Sequence, residues 1–166
     1  HAEPDRPMGF CLFNNIAIAA EYARLHYSIG KIAIIDFDVH HGNGTQAAFY
    51  KQPQILYASS HEMPHYPGTG HPKETGVGNI VNVPLHPGAS GAEFRQLYSS
   101  IILPAVRHFK PDLILISAGF DAHQDDPLAG IRLTTEDYQW VTEHIKAIAE
   151  ECAKGRILSV LEGGYH

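Results

Sequence analysis

Five short apolar runs, rich in β-branched residues, constrain the fold of this chain more than any other feature of its sequence. They are near-continuous rather than alternating, which is typical of parallel strands that are covered on both faces. The runs span residues 32–37, 55–59, 80–85, 113–118 and 157–161. Because helical patterns lie between them, the sequence predicts a three-layer α/β domain whose mostly parallel central sheet is flanked by helices.

Three of the intervening segments carry apolar residues at helical spacing. They cover residues 14–27, 94–105 and 134–152. An asparagine, Asn14 or Asn15, can cap the first helix, a threonine the third, and Pro104 is expected to kink the second. Residues 60–79 form instead a Gly/Pro/His stretch without periodicity, and loops of that length are often functional.

Composition restricts the class of protein and its partners. The 166 residues, 44% of them apolar, suit a single domain spanning 1–166. A formal charge of −6 without any basic run argues against nucleic acid as a direct partner. No stretch approaches the roughly 20 apolar residues of a membrane span. Two cysteines suggest no disulfide framework, so we expect a reducing, cytoplasmic location.

Polar side chains follow three of the predicted strands. Ligands of open α/β sheets bind beyond the carboxyl ends of the strands, so these positions are the first candidates for a site. Strand alternation places Asp36, Asp38 and His40 on a common side of the first tip. Asp121 emerges past the fourth strand, and a Gly-Gly turn delivers Tyr165 past the fifth.

Asp38, His40 and Asp121 together predict a metal site. A lone aspartate at a strand end is usually structural. Carboxylates from two strands that pack together, however, repel each other unless a cation lies among them. One histidine and two carboxylates with an open coordination position suit a hydrolytic zinc ion, and other divalent metals could also bind.

The string Asp-Val-His-His-Gly-Asn-Gly-Thr-Gln at 38–46 resembles the signature of the histone deacetylase and acetylpolyamine amidohydrolase superfamily. Asn43 is similar to the class II and bacterial deacetylase-like branch. Further family motifs occur in order at residues 9–11, 66–70, 119–121, 126–130 and 162–165. The resemblance implies an arginase/deacetylase-like fold and a zinc-dependent deacetylase, a hydrolase of linear amide C–N bonds.

The resemblance also implies roles for individual residues. The implied zinc ligands are Asp38, His40 and Asp121. His1 matches the general base that activates water, and Asn43 matches the residue that orients it. Tyr165 matches the oxyanion donor. Asp36 matches the partner of a further histidine, the first member of the family's tandem pair.

On the substrate side, the resemblance implies a tunnel for the acyl-lysine chain. Its implied lining residues are Gly9, Phe10, Tyr66 and Leu128. The implied substrate is an acetylated lysine peptide, an acetylated polyamine or a smaller acylated amine, and the sequence does not choose among them. A monovalent cation, normally potassium, is implied near the main-chain carbonyls of Asp36, Asp38, His40 and Ser59.

The sequence begins at the second histidine of the tandem pair and ends one residue after Tyr165. We therefore expect a catalytic core truncated at both ends, with little activity as an isolated fragment. Among the other histidines, His41 is predicted to pack structurally. The histidines predicted to be solvated or at the rim are His61, His65, His71, His86 and His123. Nothing in the sequence indicates the oligomeric state.

Two other functions stay open from the sequence. A binuclear manganese ureohydrolase of the arginase type needs further ligands, yet Ala122 and His123 follow Asp121 where a second aspartate is expected. A catalytically silent module that binds acetylated ligands is the other alternative. A nucleotide-binding domain is disfavoured because no Gly-rich phosphate loop follows any strand.

Overall fold

Five strands form one parallel sheet in the computed structural model, which describes residues 1–166. The strands are β1 (Ile32–Asp36), β2 (Ile55–Glu62), β3 (Ile80–Leu85), β4 (Leu113–Ala118) and β5 (Ile157–Leu161). Their order is β3-β2-β1-β4-β5, and every neighbouring pair is parallel. The predicted α/β fold is confirmed, with β1 at the centre of the sheet.

Helices cover both faces of the sheet and complete three layers. They are α1 (Asn15–Tyr27), α2 (Asn43–Phe49), α3 (Gly91–Leu97), α4 (Leu103–Phe109) and α5 (Thr135–Cys152). Alternate residues of β1 belong to two cores: Ala33 and Ile35 pack in the core under α3, α4 and α5, whereas Ile32 and Ile34 pack in the core under α1. This continuous apolar run is therefore buried on both faces. No helix is both long and apolar enough to cross a lipid bilayer.

The capping residues follow simple chemistry. Asn14 accepts a hydrogen bond from the Ala17 N–H at 3.0 Å and so begins α1. Thr134 and Asp137 form a capping box that begins α5.

The expected kink at Pro104 takes the form of a π-helical turn over Tyr98–Ile102, directly before α4. A proline ring clashes with the carbonyl four residues earlier in a regular α-helix, and the wider turn avoids that overlap.

Two elements differ from the sequence prediction because their buried residues are polar. The sequence analysis did not predict α2, whose buried residues Asn43, Thr45 and Gln46 give it no apolar stripe. β2 continues three residues beyond the predicted end, since residues 60–62 pair with β3. The expectation that His61 is solvated or at the rim is therefore wrong, because pairing in the sheet leaves it 1% exposed.

Asn79 connects α2 to the start of β2. Its side-chain Nδ2 donates towards three main-chain carbonyl oxygens, those of Phe49, Gln52 and Ile55, at 2.8–3.0 Å. Asn79 is 4% exposed, so water does not offer these carbonyls an alternative donor.

We expect Asn79→Asp to destabilise the chain at neutral pH by about 2 kcal/mol or more, because a buried carboxylate would face three acceptors without donating to any. At pH 4 the loss should be smaller, since a protonated carboxyl group donates one hydrogen bond. Urea unfolding at both pH values measures this, with the exposed Asn15→Asp as the control. Equal stability of Asn79→Asp and the parent at pH 7 would contradict it.

Candidate active site

The candidate site lies at the carboxyl end of β1, where the order of the strands reverses. β1 connects onward to β2 on one side and its neighbour β4 connects onward to β5 on the other, so the connections leave these two adjacent strands in opposite directions. Such a reversal opens a crevice in which open α/β sheets bind their ligands. The polar tips of β1, β4 and β5 all lie at this edge because the strands are parallel.

The structure brings the three predicted metal ligands together. His40 Nδ1 lies 3.2 Å from Asp38 Oδ1 and 2.9 Å from Asp121 Oδ2. All three residues are buried. One imidazole and two carboxylates are a donor set that zinc and other divalent ions accept, although the three residues whose potential ligand atoms all lie within 4.8 Å of one another are His1, Asp38 and His40.

Main-chain N–H groups bind the carboxylate oxygens of Asp38 and Asp121 that are not bonded to the His40 ring. Val39 N donates to Asp121 Oδ1 at 2.9 Å, and Gly163 N donates to Asp38 Oδ2 at 2.7 Å. A Cβ atom at Gly163 would overlap the Asp121 carboxylate, and one at Gly119 would overlap that of Asp38. Glycine is therefore required where the tips of β4 and β5 close on the site.

The electrostatics of these groups favour a cation between the carboxylates. Burial, and then the neighbouring charge of Asp38, raise the pKa of Asp121. The same two causes, with Glu162, raise the pKa of Asp36. Burial opposes a charge on His40, yet its bonds to Asp121 and Asp38 raise its pKa to about 10. A divalent metal ion meets the same demand for positive charge, so the donor set fits such an ion.

The His1 side chain lies next to the candidate metal position. Its potential ligand atom lies within 4.8 Å of those of Asp38 and His40. Asn43 Nδ2 donates to Glu3 Oε1 at 2.8 Å, and a carboxylate can only accept, so the other amide atom, Oδ1, faces His1. His1 Nδ1 therefore donates to Asn43 Oδ1 at 2.9 Å, which leaves the lone pair of a neutral imidazole on Nε2.

Tyr165 is tied to the site through its backbone. Its N–H donates to Asp126 Oδ2 at 2.7 Å, and Asp126 also accepts from Leu128 N at 2.9 Å. Burial, followed by the charges of Asp121 and Asp38, raises the pKa of Tyr165 to about 12. The phenol therefore keeps its proton at neutral pH and can donate it in a hydrogen bond.

The predicted substrate residues lie on two sides of these groups. The Tyr66 ring is 5.3 Å from that of His1, and the Phe10 ring is 6.3 Å from that of Tyr165. A cavity of about 480 Å³ is lined by Gly9 and Phe10, together with Asp38, His40 and Tyr165.

Tyr66 and Leu128 lie outside the lining of that cavity. Both are nearly half exposed at the surface. The Gly9 carbonyl, predicted to accept from a substrate amide, accepts a weak bond from the Cys11 thiol at 3.3 Å.

Asp36 is bonded differently from its predicted pairing with a histidine. Its carboxylate accepts from the Tyr57 hydroxyl at 2.8 Å and from Asp38 N at 3.1 Å. The histidine implied as its partner is not among the 166 residues, so that role stays a prediction.

The sequence analysis assigned no role to Glu162 or Asp126. Glu162 accepts from the Ser117 hydroxyl at 3.0 Å, and burial raises its pKa. Both residues lie inside motifs quoted from the sequence, and position in those motifs was the one signal available for them.

Two buried histidines lie beside the site without reaching the metal position. His41 is 1% exposed, as expected for a histidine with a structural role. Its ring lies 4.7 Å from that of His61. Burial lowers the pKa of His61 to about 4.

We expect His61 to make stability depend on pH. Its full contribution is present above the unfolded pKa of about 6.5, and it is lost as pH falls towards 4, by about 1.4 kcal/mol per pH unit, because the unfolded chain then binds one more proton. Unfolding of His61→Gln between pH 7 and pH 4 should give a slope shallower by about one proton. The exposed His108→Gln is the control, and an unchanged slope in His61→Gln would contradict this assignment.

Comparison with known proteins gives the family. The family model of the histone deacetylase domain matches residues 1–166. The chain is 47% identical over its whole length to "Histone deacetylase 10, chloroplastic" of Oryza sativa subsp. japonica, of which it covers 38%. It is 44% identical to "Probable deacetylase" of Archaeoglobus fulgidus, with 99% of this chain and 47% of that protein aligned.

A solved structure gives the same result. The HDA15 HD domain superposes with a TM-score of 0.94 at 39% identity, over 100% of this chain and 48% of that one. The chain thus spans about half, or less, of the length of these relatives. The predicted resemblance is confirmed: the chain belongs to the histone deacetylase family.

Proposed function

We propose that the protein carrying this chain is a zinc-dependent amidohydrolase that removes acetyl groups from acetyl-lysine or from acetylated polyamines and amines. The observation that carries the proposal is the position of His40 Nδ1 between the carboxylates of Asp38 and Asp121. An oriented imidazole, His1, and a protonated phenol, Tyr165, lie at the same edge of the sheet. Membership of the deacetylase family supports the reaction class.

Asp38, His40 and Asp121 are the residues that would hold the metal ion. When bound there, zinc would act as a Lewis acid on the acetyl carbonyl and supply nucleophilic water near neutral pH. Other divalent metals would fit the same two carboxylates and one imidazole. The pairing of Asp36 with Ser59 across β1 and β2 supports the proposal of a monovalent cation behind them, bound by main-chain carbonyls.

His1 acts as the general base in this proposal. Its Nε2 lone pair takes a proton from the attacking water while Nδ1–H stays bonded to Asn43. The same nitrogen then returns that proton to the amine as the C–N bond breaks. One water is consumed, and since the acid product gives its proton to the amine, acetate and the protonated amine are released.

Tyr165 serves as the oxyanion donor. Its phenol is protonated at neutral pH, so it can donate to the carbonyl oxygen as negative charge develops there. A donor of this kind contributes about 3 kcal/mol to stabilisation of the transition state. The bond from Tyr165 N to Asp126 sets the approach of the ring.

The substrate side of the proposal rests on aromatic residues. Tyr66 and Phe10 flank the methylene chain of an acyl-lysine, Gly9 accepts from its amide and Leu128 forms part of the rim. The formal charge of −6 supports a cationic partner such as a lysine-rich peptide or a polyamine. The cytoplasmic location stays a prediction, and the relative from Oryza sativa is described as chloroplastic.

In the full-length protein, we expect Tyr165→Phe to lower kcat by about 10²–10³ without loss of bound zinc, because the change removes only the oxyanion donor. Steady-state hydrolysis of an acetyl-lysine reporter, an acetylpolyamine and a small acylated amine measures the effect, alongside metal analysis. Tyr27→Phe, which alters an exposed tyrosine at the end of α1, is the matched control.

Near-normal turnover by Tyr165→Phe would remove this residue from the mechanism. A zinc-loaded parent protein that binds acetylated ligands but hydrolyses none of the three substrates would refute the proposed reaction. That result would favour the silent binding module.

A further inference from the structure

The segment between β2 and β3 contains no helix or strand, although it reaches the candidate site. It spans residues 63–79. Within it, the Tyr66 ring packs 5.3 Å from that of His1, and the His65 ring packs 4.9 Å from that of His40. Since regular secondary structure does not hold these rings in place, other contacts must do so.

Three buried polar side chains outside the segment bind it on its inner side. They are His41, Gln46 and His61. His41 Nδ1 lies 2.7 Å from the Thr69 hydroxyl, and His61 Nε2 lies 2.9 Å from the Gly70 carbonyl oxygen. Both contacts fall within four residues of Tyr66 along the chain.

Glu74 supplies the third anchor and makes the most bonds. Its carboxylate accepts from Gln46 Nε2 at 2.6 Å, from Gly70 N at 3.1 Å and from His71 N at 3.1 Å. Burial acts against the charge, but these bonds lower the pKa of Glu74, so the group is ionised at neutral pH. Bonds to an ionised acceptor are about twice as strong as neutral ones.

The direction of each bond follows from the chemistry of its partners. The Gly70 carbonyl can only accept, so His61 Nε2 carries the proton and Nδ1 accepts from the Ser59 hydroxyl at 3.0 Å. Gln46 gives its N–H to Glu74, so its carbonyl oxygen faces His41 Nε2 at 3.1 Å.

His41 Nε2 therefore donates to Gln46, and Nδ1 accepts from the Thr69 hydroxyl. Both imidazoles are neutral in this pattern. Each bond has one permitted direction, which makes the network specific for one position of the segment.

We propose that Glu74 is a positioning residue that, together with Gln46, His41 and His61, holds residues 65–74 so that the Tyr66 ring lies 5.3 Å from that of His1 and 6.2 Å from that of His40. The consequence for catalysis rests on the proposed deacetylase function. Glu74 makes no hydrogen bond to a candidate catalytic or metal-binding residue. Its effect on turnover therefore passes through Tyr66.

Removal of the carboxylate leaves three donors without their acceptor. In the full-length protein, Glu74→Ala should release the segment and lower kcat/KM for an acetyl-lysine reporter by about 10–100-fold, because a displacement of about 1 Å can cost 10²-fold in rate. Bound zinc should be unchanged, since Val39 N and Gly163 N hold the ligand carboxylates. Glu74→Gln should restore most activity, because its carbonyl oxygen can still accept from Gln46 and Gly70.

Glu93→Ala is the matched control for lost stability. Glu93 likewise accepts from a backbone N–H, that of Ser90 at 2.9 Å, and from side chains, but it caps α3 and belongs to no part of this network. We expect Glu93→Ala to lower the melting temperature and to leave kcat/KM within about twofold of the parent, as for a structural residue away from the site.

A double-mutant cycle with Tyr66→Ala tests the route of the effect. If Glu74 acts through Tyr66, adding Glu74→Ala to Tyr66→Ala should cost less than about twofold further in kcat/KM, since coupled residues are not additive. Effects of the two changes that multiply would overturn the positioning role.

Amide hydrogen exchange separates this inference from the proposed function. Residues 65–71 should exchange faster in Glu74→Ala than in the parent and in Glu93→Ala, whether or not the protein turns over a substrate. Faster exchange in a protein that hydrolyses none of the acetylated substrates would support the anchoring and refute the deacetylase proposal. Unchanged exchange would overturn the anchoring itself.

Discussion

The carboxylates of Asp38 and Asp121 lie on either side of one imidazole nitrogen, at the tip of the central strand and almost out of reach of water. Two buried carboxylates beside one nitrogen repel each other, and either a cation between them or a proton on one of them removes that repulsion. The surrounding structure holds the two carboxylates in place despite this repulsion. Main-chain N–H groups bind the outward oxygens, and glycines at positions 119 and 163 let two further strand tips close on them. The proposed chemistry depends on this constraint.

Apolar pattern was enough to predict most of the fold. Strands such as β1 and β4 are mostly apolar and buried on both faces, and hydropathy predicted their limits to within one residue. The parts that pattern did not predict are buried but polar. In α2 and at the end of β2, side chains such as Gln46 and His61 are stabilised by hydrogen bonds rather than by apolar contact. Their partners are distant in sequence, so no local periodicity indicates them.

In the candidate site, too, some contacts could be predicted from the sequence and others could not. Polar residues at two strand tips predicted that Asp38, His40 and Asp121 would meet, and the structure places His40 in contact with both carboxylates. Their roles in binding and catalysis stay predictions. Asp126 was not assigned because it acts on the backbone of Tyr165, and a backbone N–H leaves no trace in a sequence. The pairing of Asp36 with Tyr57 was equally invisible, since it joins the side chains of two strands across the sheet.

Anomalous diffraction at the zinc absorption edge, from crystals grown with zinc, tests the central claim most directly. The account predicts one peak, about 2.0–2.2 Å from His40 Nδ1 and from an oxygen of each of Asp38 and Asp121. His1 Nε2 should lie outside that bonding distance and remain bonded through Nδ1 to Asn43. A pair of peaks, a peak bound by His1 in place of Asp121, or no ordered metal among these residues would contradict the account.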